Sequence, residues 1–343
     1  MNATVFLFTP PFTQLNTPYP ATAYLKGFLN TKGVSSFQSD LGIEVTLQLF
    51  SKKGLTKIFS SITNEQEYSE NAQRILALQQ EYINCIDDVV LYLQGKNPTI
   101  AHLIASRNLL PEAGRFAELS DFHWAFGAMG LQDKAKHIAT LYLEDLADLI
   151  KECVDEHFGF SRYAERLGRS ANSFDELYAE LHKSLTLVDE LLIERLQKHI
   201  ENVQPKFVAI SVPFPGNLYA AFRSAQWIKA NHPHIKVTMG GGFPNTELRS
   251  LKDPRVFECF DFITLDDGEA PIEQLLKYIN NEIETPQLKR TFLLLNGIVT
   301  YINNSSCKDY KQADVGTPDY SDLLLDDYIS VIEVVNPMHS LWS

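Results

Sequence analysis

The chain is predicted to fold as a doubly wound, Rossmann-like (flavodoxin-like) parallel α/β sheet with a large all-helical insertion and a C-terminal β-hairpin and tail. Three observations predict this. Apolar strand-like runs alternate with helical periods near both ends of the sequence, the rhythm of a parallel sheet with right-handed crossovers. Between those blocks, from about residue 52 to 205, the spacing is helical throughout. Near the C-terminus, two apolar runs flank Asn296-Gly297, the strongest short hairpin signal.

Thr4-Val5-Phe6-Leu7-Phe8 is a continuous apolar run, suited to a strand buried on both faces, and Pro10-Pro11 stops it. Ala21 to Asn30 reads as a helix with Tyr24, Leu25 and Phe28 on one face, and Gly33 follows as its stop signal. Val34 to Ser39 is a second strand, and Asp40 is placed to cap a helix starting near Gly42. In the helical stretch Ile75, Leu78, Tyr82 and Ile86 step by three or four. So do Ile138, Tyr142, Leu146 and Leu149, and Leu181, Leu185, Val188, Leu192 and Leu196. Roughly six to eight helices are expected on this periodicity, lodged between strands two and three. Strands resume at Phe207–Val212, Ile235–Met239 and Phe260–Leu265, with helices at Leu218–Ala230 and Ala270–Ile279, Pro271 lying in the first turn of the latter. The expected order of the five parallel strands is 2-1-3-4-5. The domain reading is 1–51 and 206–285 for the two parts of the sheet domain, 52–205 for the helical insertion, 286–316 for hairpin and linker, and 317–343 for an apolar tail.

The chain has 343 residues, 45% of them apolar, enough for a large core and for a second domain or a long insertion. A net charge of −13 argues against a nucleic-acid footprint. No window approaches the roughly 18 uninterrupted apolar residues of a membrane span. Met1-Asn2-Ala3-Thr4 lacks the basic region of a signal peptide, so a cytoplasmic location is expected. Cys85, Cys153, Cys259 and Cys307 match no metal-ligand spacing and read as free thiols; no metal site is expected.

Ligands of open α/β sheets bind beyond the carboxyl ends of the strands. Four such ends carry special loops: Thr9-Pro10-Pro11-Phe12-Thr13-Gln14 with Asn16, Ser211-Val212-Pro213-Phe214-Pro215, Gly240-Gly241-Gly242-Phe243 and Asp266-Asp267-Gly268-Glu269. The glycines allow a close backbone approach to a ligand, or serve a tight turn. The prolines stiffen loops suited to a broad apolar ligand surface, and Gln14, Asn16 and Asn217 add neutral hydrogen-bonding groups. No G-x-G-x-x-G or P-loop occurs. The carboxylates of Asp266, Asp267 and Glu269 suit a helix N-terminus, with Glu269 as a cap and the Gly268 backbone facing ligand. A divalent-metal site on that cluster is a different enzyme reading. Asp155-Glu156-His157-Phe158-Gly159 and Asp121-Phe122-His123-Trp124-Ala125-Phe126-Gly127 are near misses of Asp-x-His-x-x-Gly, both inside the helical stretch.

These loops, in this order, resemble the N-terminal cobalamin-binding domain of class B radical S-adenosylmethionine enzymes. The matching blocks are Phe8-Thr9-Pro10-Pro11, Ser211-Val212-Pro213-Phe214, Gly240-Gly241-Gly242 and Leu265-Asp266-Asp267-Gly268-Glu269-Ala270-Pro271. The resemblance covers residues 3–50 and 205–282. The tail from Pro318-Asp319-Tyr320-Ser321 to Asp326-Asp327-Tyr328 is similar to the linker into the radical barrel. It implies cobalamin on the C-terminal face of the sheet, in a methyltransferase-like enzyme. The implied cofactor-binding residues are Thr9, Pro10, Pro11, Phe12, Thr13, Gln14, Asn16, Ser211, Val212, Pro213, Phe214, Gly240, Gly241, Gly242, Phe243, Asp267, Gly268 and Glu269. The loop after strand one carries no histidine, so none is expected on cobalt from it. The family's CxxxCxxC motif, which holds a [4Fe–4S] cluster through thiolates, does not occur here. The cluster and S-adenosylmethionine are therefore expected in a radical domain beyond Ser343, in cis or in trans, and 317–343 reads as the truncated start of that domain. The other reading is a non-catalytic Rossmann-like binding or scaffold protein for another ligand or partner. On either reading the apolar tail is expected to be exposed and to favour association.

Overall fold

The computed structural model describes residues 4–63, 67–117, 123–169 and 174–332, residues 123–129 by their backbone alone. The chain opens β1 (Val5–Thr9), α1 (Ala21–Thr31), β2 (Ser36–Asp40) and α2 (Leu41–Leu49). Both β1 and its neighbour β5 (Phe207–Ser211) are buried along their whole length, as their continuous apolar runs require. The Asp40 side chain accepts from the N–H groups of Gly42 and Ile43 and caps α2 as expected.

Eight helices then follow among the described residues: α3 (Lys52–Ser61), α4 (Glu70–Ala77), α5 (Gln79–Leu93), α6 (Ala101–Ala105), α7 (His123–Cys153), α8 (Glu165–Arg169), α9 (Asp175–Leu181) and α10 (Leu187–Val203). The periodic rows of the sequence are not single helices. The row through Ile75 and Tyr82 breaks at Leu78 between α4 and α5, and the row from Leu181 to Leu196 spans the end of α9 and exposed Leu185 before α10. A two-residue hairpin, β3 (Phe158–Gly159) with β4 (Arg162–Tyr163), interrupts the helices and was not expected. Buried apolar side chains, among them Leu192 and Leu196, dock α10 beside α2. The helix therefore belongs to the sheet's own layer as well as to the insertion.

The alternation resumes with β5, α11 (Leu218–Asn231), β6 (Lys236–Gly240), α12 (Gly242–Glu247), β7 (Phe262–Thr264) and α13 (Glu269–Ile279), and ends with β8 (Thr291–Leu295) and β9 (Ile298–Ile302). The seven strands lie in the order β2-β1-β5-β6-β7-β8-β9. The first five are parallel, in the expected doubly wound order, and β8 and β9 extend them antiparallel. Asn296 and Gly297 both have φ above zero, the backbone of the tight turn their sequence signals.

One face of the sheet packs on α1 and α13 through Val5, Leu7, Phe207, Phe28 and Leu275. The opposite face packs on α2, α10 and α11, and its core runs without a break into the helical insertion. A strap, residues 317–332, then crosses back over α1 and the end of β2. The expectation of an exposed tail is corrected over these residues: Leu323, Tyr328 and Ile329 are buried, and Leu324 and Leu325 are exposed. Residues 333–343 lie outside the described residues.

Candidate functional site

Parallel strand register places Leu7, Ala209, Thr238 and Phe262 side by side, and Ser211 beside Gly240 one pleat further on. Side chains alternate across a strand, so Ala209, Ser211, Thr238, Gly240 and Thr264 share the face toward α1 and α13. All are small. Neighbours on the other face, Val208, Ile210, Val237, Met239 and Ile263, are large and close-packed. The small row leaves a cleft of about 210 Å³ between the carboxyl ends of β1, β5, β6 and β7 and the first turns of α1 and α13. This is the topological switch point of the sheet, because the chain leaves β1 for one face and β5 for the other.

In the cleft the Thr238 and Thr264 hydroxyls donate to the Phe262 and Met239 carbonyls, and one polar side chain is left over. Ser211 is 6% exposed, and its Oγ has no hydrogen-bond partner. No side chain caps α1 or α13, whose N-cap residues are Pro20 and Gly268. Their first-turn N–H groups carry the positive end of each helix dipole toward the cleft. A ligand group with acceptor atoms would satisfy these donors. Glu269 is the first residue of α13 rather than its cap, and Gly268 lines the cleft.

The mouth is held by an ion-pair network. Arg249 pairs with Asp266, and the Asn245 side chain accepts from the Asp266 N–H. The Arg290 guanidinium donates to the Asp267 carbonyl (2.8 Å) and the Leu265 carbonyl (3.2 Å), and it also pairs with Asp309. Asp266 is thereby committed to arginine, and among the described residues no group of three His, Cys, Asp or Glu is placed to hold a metal ion.

The predicted residues divide three ways. Ser211, Gly240, Gly241, Asp267, Gly268 and Glu269 line the cleft. Gln14, Asn16 and Phe214 are exposed at the same end of the sheet, the Phe214 ring edge-on to Tyr19 at 5.6 Å. Thr9, Pro10, Pro11, Phe12 and Thr13, with Val212, Pro213 and Phe243, are buried in packing. The Asn217 side chain donates to the carbonyls of Pro10 (2.8 Å) and Phe12 (2.9 Å). The Phe12 ring sits edge-on to Phe158 and Tyr163 of the β3–β4 hairpin. Part of the glycine triplet is explained in the same way. Gly241 has φ +108°, and a Cβ there would lie 2.7 Å from the Val212 carbonyl oxygen; one on Gly242 would meet the Pro213 carbonyl oxygen at the same distance. Gly242 also starts α12, an element the sequence reading missed.

Sequence reasoning also missed Ala21, Thr22, Tyr24, Leu25, Ala209, Thr238, Thr264 and Ile272 of the lining. The signal for the strand residues was present: small side chains at alternate positions of three successive strands.

Of the two near-miss histidine motifs, the one around His157 is held in a buried network away from the cleft lining. Asp121 and Phe122 lie outside the described residues. Asp155 accepts from the His157 N–H and from the Tyr163 hydroxyl (2.8 Å). Tyr163 also lies 3.2 Å from Asp189, which accepts from Tyr219 (2.9 Å) and pairs with Arg223 at 3.2 Å. Burial raises the Asp189 carboxyl above the usual range, opposed mainly by Arg223. This buried network ties the insertion to α11. No family model, curated protein or solved structure matches the chain. Among the described residues no helix is long and apolar enough to cross a membrane.

Proposed function

We propose that this chain is the cobalamin-binding module of a radical S-adenosylmethionine, methyltransferase-like enzyme. The observation that carries the reading is the small-residue cleft at the switch point, with the orphaned Ser211 hydroxyl inside it. At about 210 Å³ it is smaller than the ~300–1,000 Å³ of a whole-ligand pocket. It therefore suits the narrow flat end of a larger molecule, as the benzimidazole tail of a corrinoid is. Ala209, Ser211, Thr238, Gly240 and Gly241 would hold that end, and the uncapped turns of α1 and α13 would face its acceptor atoms. Tyr19 and Phe214 supply apolar surface nearby, and Gln14 and Asn16 supply neutral groups suited to corrin amides. The cofactor, when bound, supplies cobalt-centred group transfer; the chain's part is to bind and orient it. The [4Fe–4S] cluster and S-adenosylmethionine are assigned to a separate radical domain, in cis or in trans. In this chain Cys85 lies in α5, Cys153 ends α7, Cys259 precedes β7 and Cys307 follows β9, with no shared loop to gather three thiolates.

A second reading, a non-catalytic binding or scaffold protein, is favoured by the commitment of Asp266 to Arg249, with no group of three His, Cys, Asp or Glu among the described residues placed to hold a metal ion. The test is gel filtration after incubation with hydroxocobalamin. Corrinoid absorbance co-eluting near one per chain supports the cobalamin reading. Absence of corrinoid from the protein peak removes it and puts the scaffold reading first.

A further inference from the structure

Helix α1 has two working faces. Ala21, Thr22, Tyr24 and Leu25 wall the cleft. On the other face Ala23, Lys26, Gly27 and Asn30 carry the strap. The Asp319 N–H donates to the Ala23 carbonyl (2.9 Å), and the Asn30 amide donates to the Asp319 carboxylate (2.8 Å). Lys26 is 6% exposed; its ammonium pairs with Asp322 and donates to Ser321 (3.1 Å). The strap lies flush on the helix, because a Cβ on Gly27 would collide with the Thr317 carbonyl oxygen. Past α1 the strap satisfies the open edge of β2, where the Gln38 N–H donates to Asp322 (3.1 Å). It then meets the insertion. Tyr328 donates to Asp40 (2.8 Å), the Ile329 N–H to the Leu15 carbonyl (2.7 Å), the Ser330 N–H to the Leu93 carbonyl (2.9 Å) and the Ile332 N–H to Thr140 (3.0 Å).

We propose that the strap is a latch that positions α1, and through it the width of the cleft, with Lys26 as the positioning residue. The path from strap to cleft mouth is short. Leu25 is one residue from Lys26, and its side chain packs against Gly268, where a Cβ would sit only 3.1 Å from it. A buried ammonium whose partner leaves is strongly disfavoured, so the end of the strap on α1 is either docked or released, with little in between. Coupling is reciprocal: if docking sets the cleft, a ligand in the cleft holds the strap down. The latch deepens the cobalamin reading as regulation of the same site, and its first test needs no ligand.

The experiment is amide hydrogen exchange, read by mass spectrometry, on the full chain and on Asp322→Asn and Tyr328→Phe. Asp322→Asn is expected to raise exchange on the order of 10-fold in 317–323, in α1 and in the 265–270 loop, which has no strap contact of its own. Tyr328→Phe is expected to loosen 324–330 and leave α1 unchanged. The proposal is overturned if Asp322→Asn frees the strap while α1 and 265–270 exchange as in the parent. Should Asp322→Asn fail to fold, Asp319→Asn is measured and the same two outcomes decide. A second arm adds hydroxocobalamin: faster release from Asp322→Asn than from the parent supports the latch, and equal release counts against it. A parent chain that retains no corrinoid overturns the cobalamin reading alone, because the ligand-free exchange still decides the latch.

Discussion

The two faces of the sheet solve opposite problems with the same strands. Toward α2, α10, α11 and the insertion, Val208, Ile210, Val237, Met239 and Phe12 belong to one continuous buried core, and Asp189 pairs with Arg223 within it. Toward α1 and α13, the alternate residues shrink to Ala209, Ser211, Thr238 and Gly240, and a hydroxyl is left without a partner. A protein interior is normally close-packed and its polar groups satisfied. Unpartnered buried atoms occur on both faces, Ser211 Oγ on this one and Asn217 Oδ1 on the other, so what sets this face apart is the row of small residues that opens the cleft at the strand ends. The difference also separates two kinds of conspicuous loop. Thr9–Thr13 is unusual because the insertion seals it, whereas Asp266–Glu269 is unusual because it edges an open cleft.

The largest effects should fall on the sealed face. Asp189→Ala strips a fully buried carboxylate from Arg223 and Tyr219 and should cost about 3–5 kcal/mol in urea unfolding. A loss under about 1 kcal/mol would mean that the network does not join insertion to sheet. Phe12→Ala, which empties the space against Phe158 and Tyr163, should cost about 3–5 kcal/mol. Neither change touches a cleft residue.

Next comes Asp40, which links α2 to the strap. Burial pushes its carboxyl up to about 6, opposed by the Tyr328 hydroxyl and the Ile43 and Gly42 N–H groups. A carboxyl raised in the folded state binds its proton more tightly there than when unfolded. Its contribution to stability is thus full below the unfolded value near 4 and is lost as pH rises through about 6. Asp40→Asn keeps an acceptor for the cap and removes the titration. The stability gap between variant and parent should therefore change by on the order of 2 kcal/mol between pH 4 and 7, in favour of the variant at the higher pH. Thermal melts across that range check it. A gap independent of pH would show that Asp40 is not buried beneath the strap.

The smallest effect on stability belongs to the open face. Ser211→Ala removes a buried hydroxyl without a partner, so it should leave the fold unchanged or raise its stability by about 0.5–1 kcal/mol. The same change should weaken ligand binding. A loss of stability would mean that the hydroxyl has a structural partner.

Much of the frame was legible from local chemistry. The apolar runs of β1 and β5, the Asp40 cap and the Asn296-Gly297 turn depend on neighbours in sequence, and they appear where their residues place them. The β3–β4 hairpin did not, because Phe158-Gly159 and Arg162-Tyr163 are too short to show a period and are held by Phe12 and Phe50 from far along the chain. The strap read as an exposed apolar lead into a further domain because its partners, Lys26, Gln38 and Asp40, lie far back in the chain; the Lys26–Ser321 bond spans 295 residues. In the site, the loop motifs lie at the end of the sheet where the cleft opens. They did not separate packing from lining, since glycines and prolines serve both. The row of small residues does separate them, once strand register says which positions are neighbours.

The most direct test is a hydroxocobalamin titration, followed by absorbance, of the parent chain and of Ala209→Phe, which fills the cleft from the sheet side. The account predicts saturation near one corrinoid per parent chain, at least a roughly 10-fold loss of affinity in the variant, and unchanged folding of the variant by circular dichroism. Equal binding by both chains would place the ligand elsewhere, and no binding by either would leave the cleft without this ligand; each result contradicts the account.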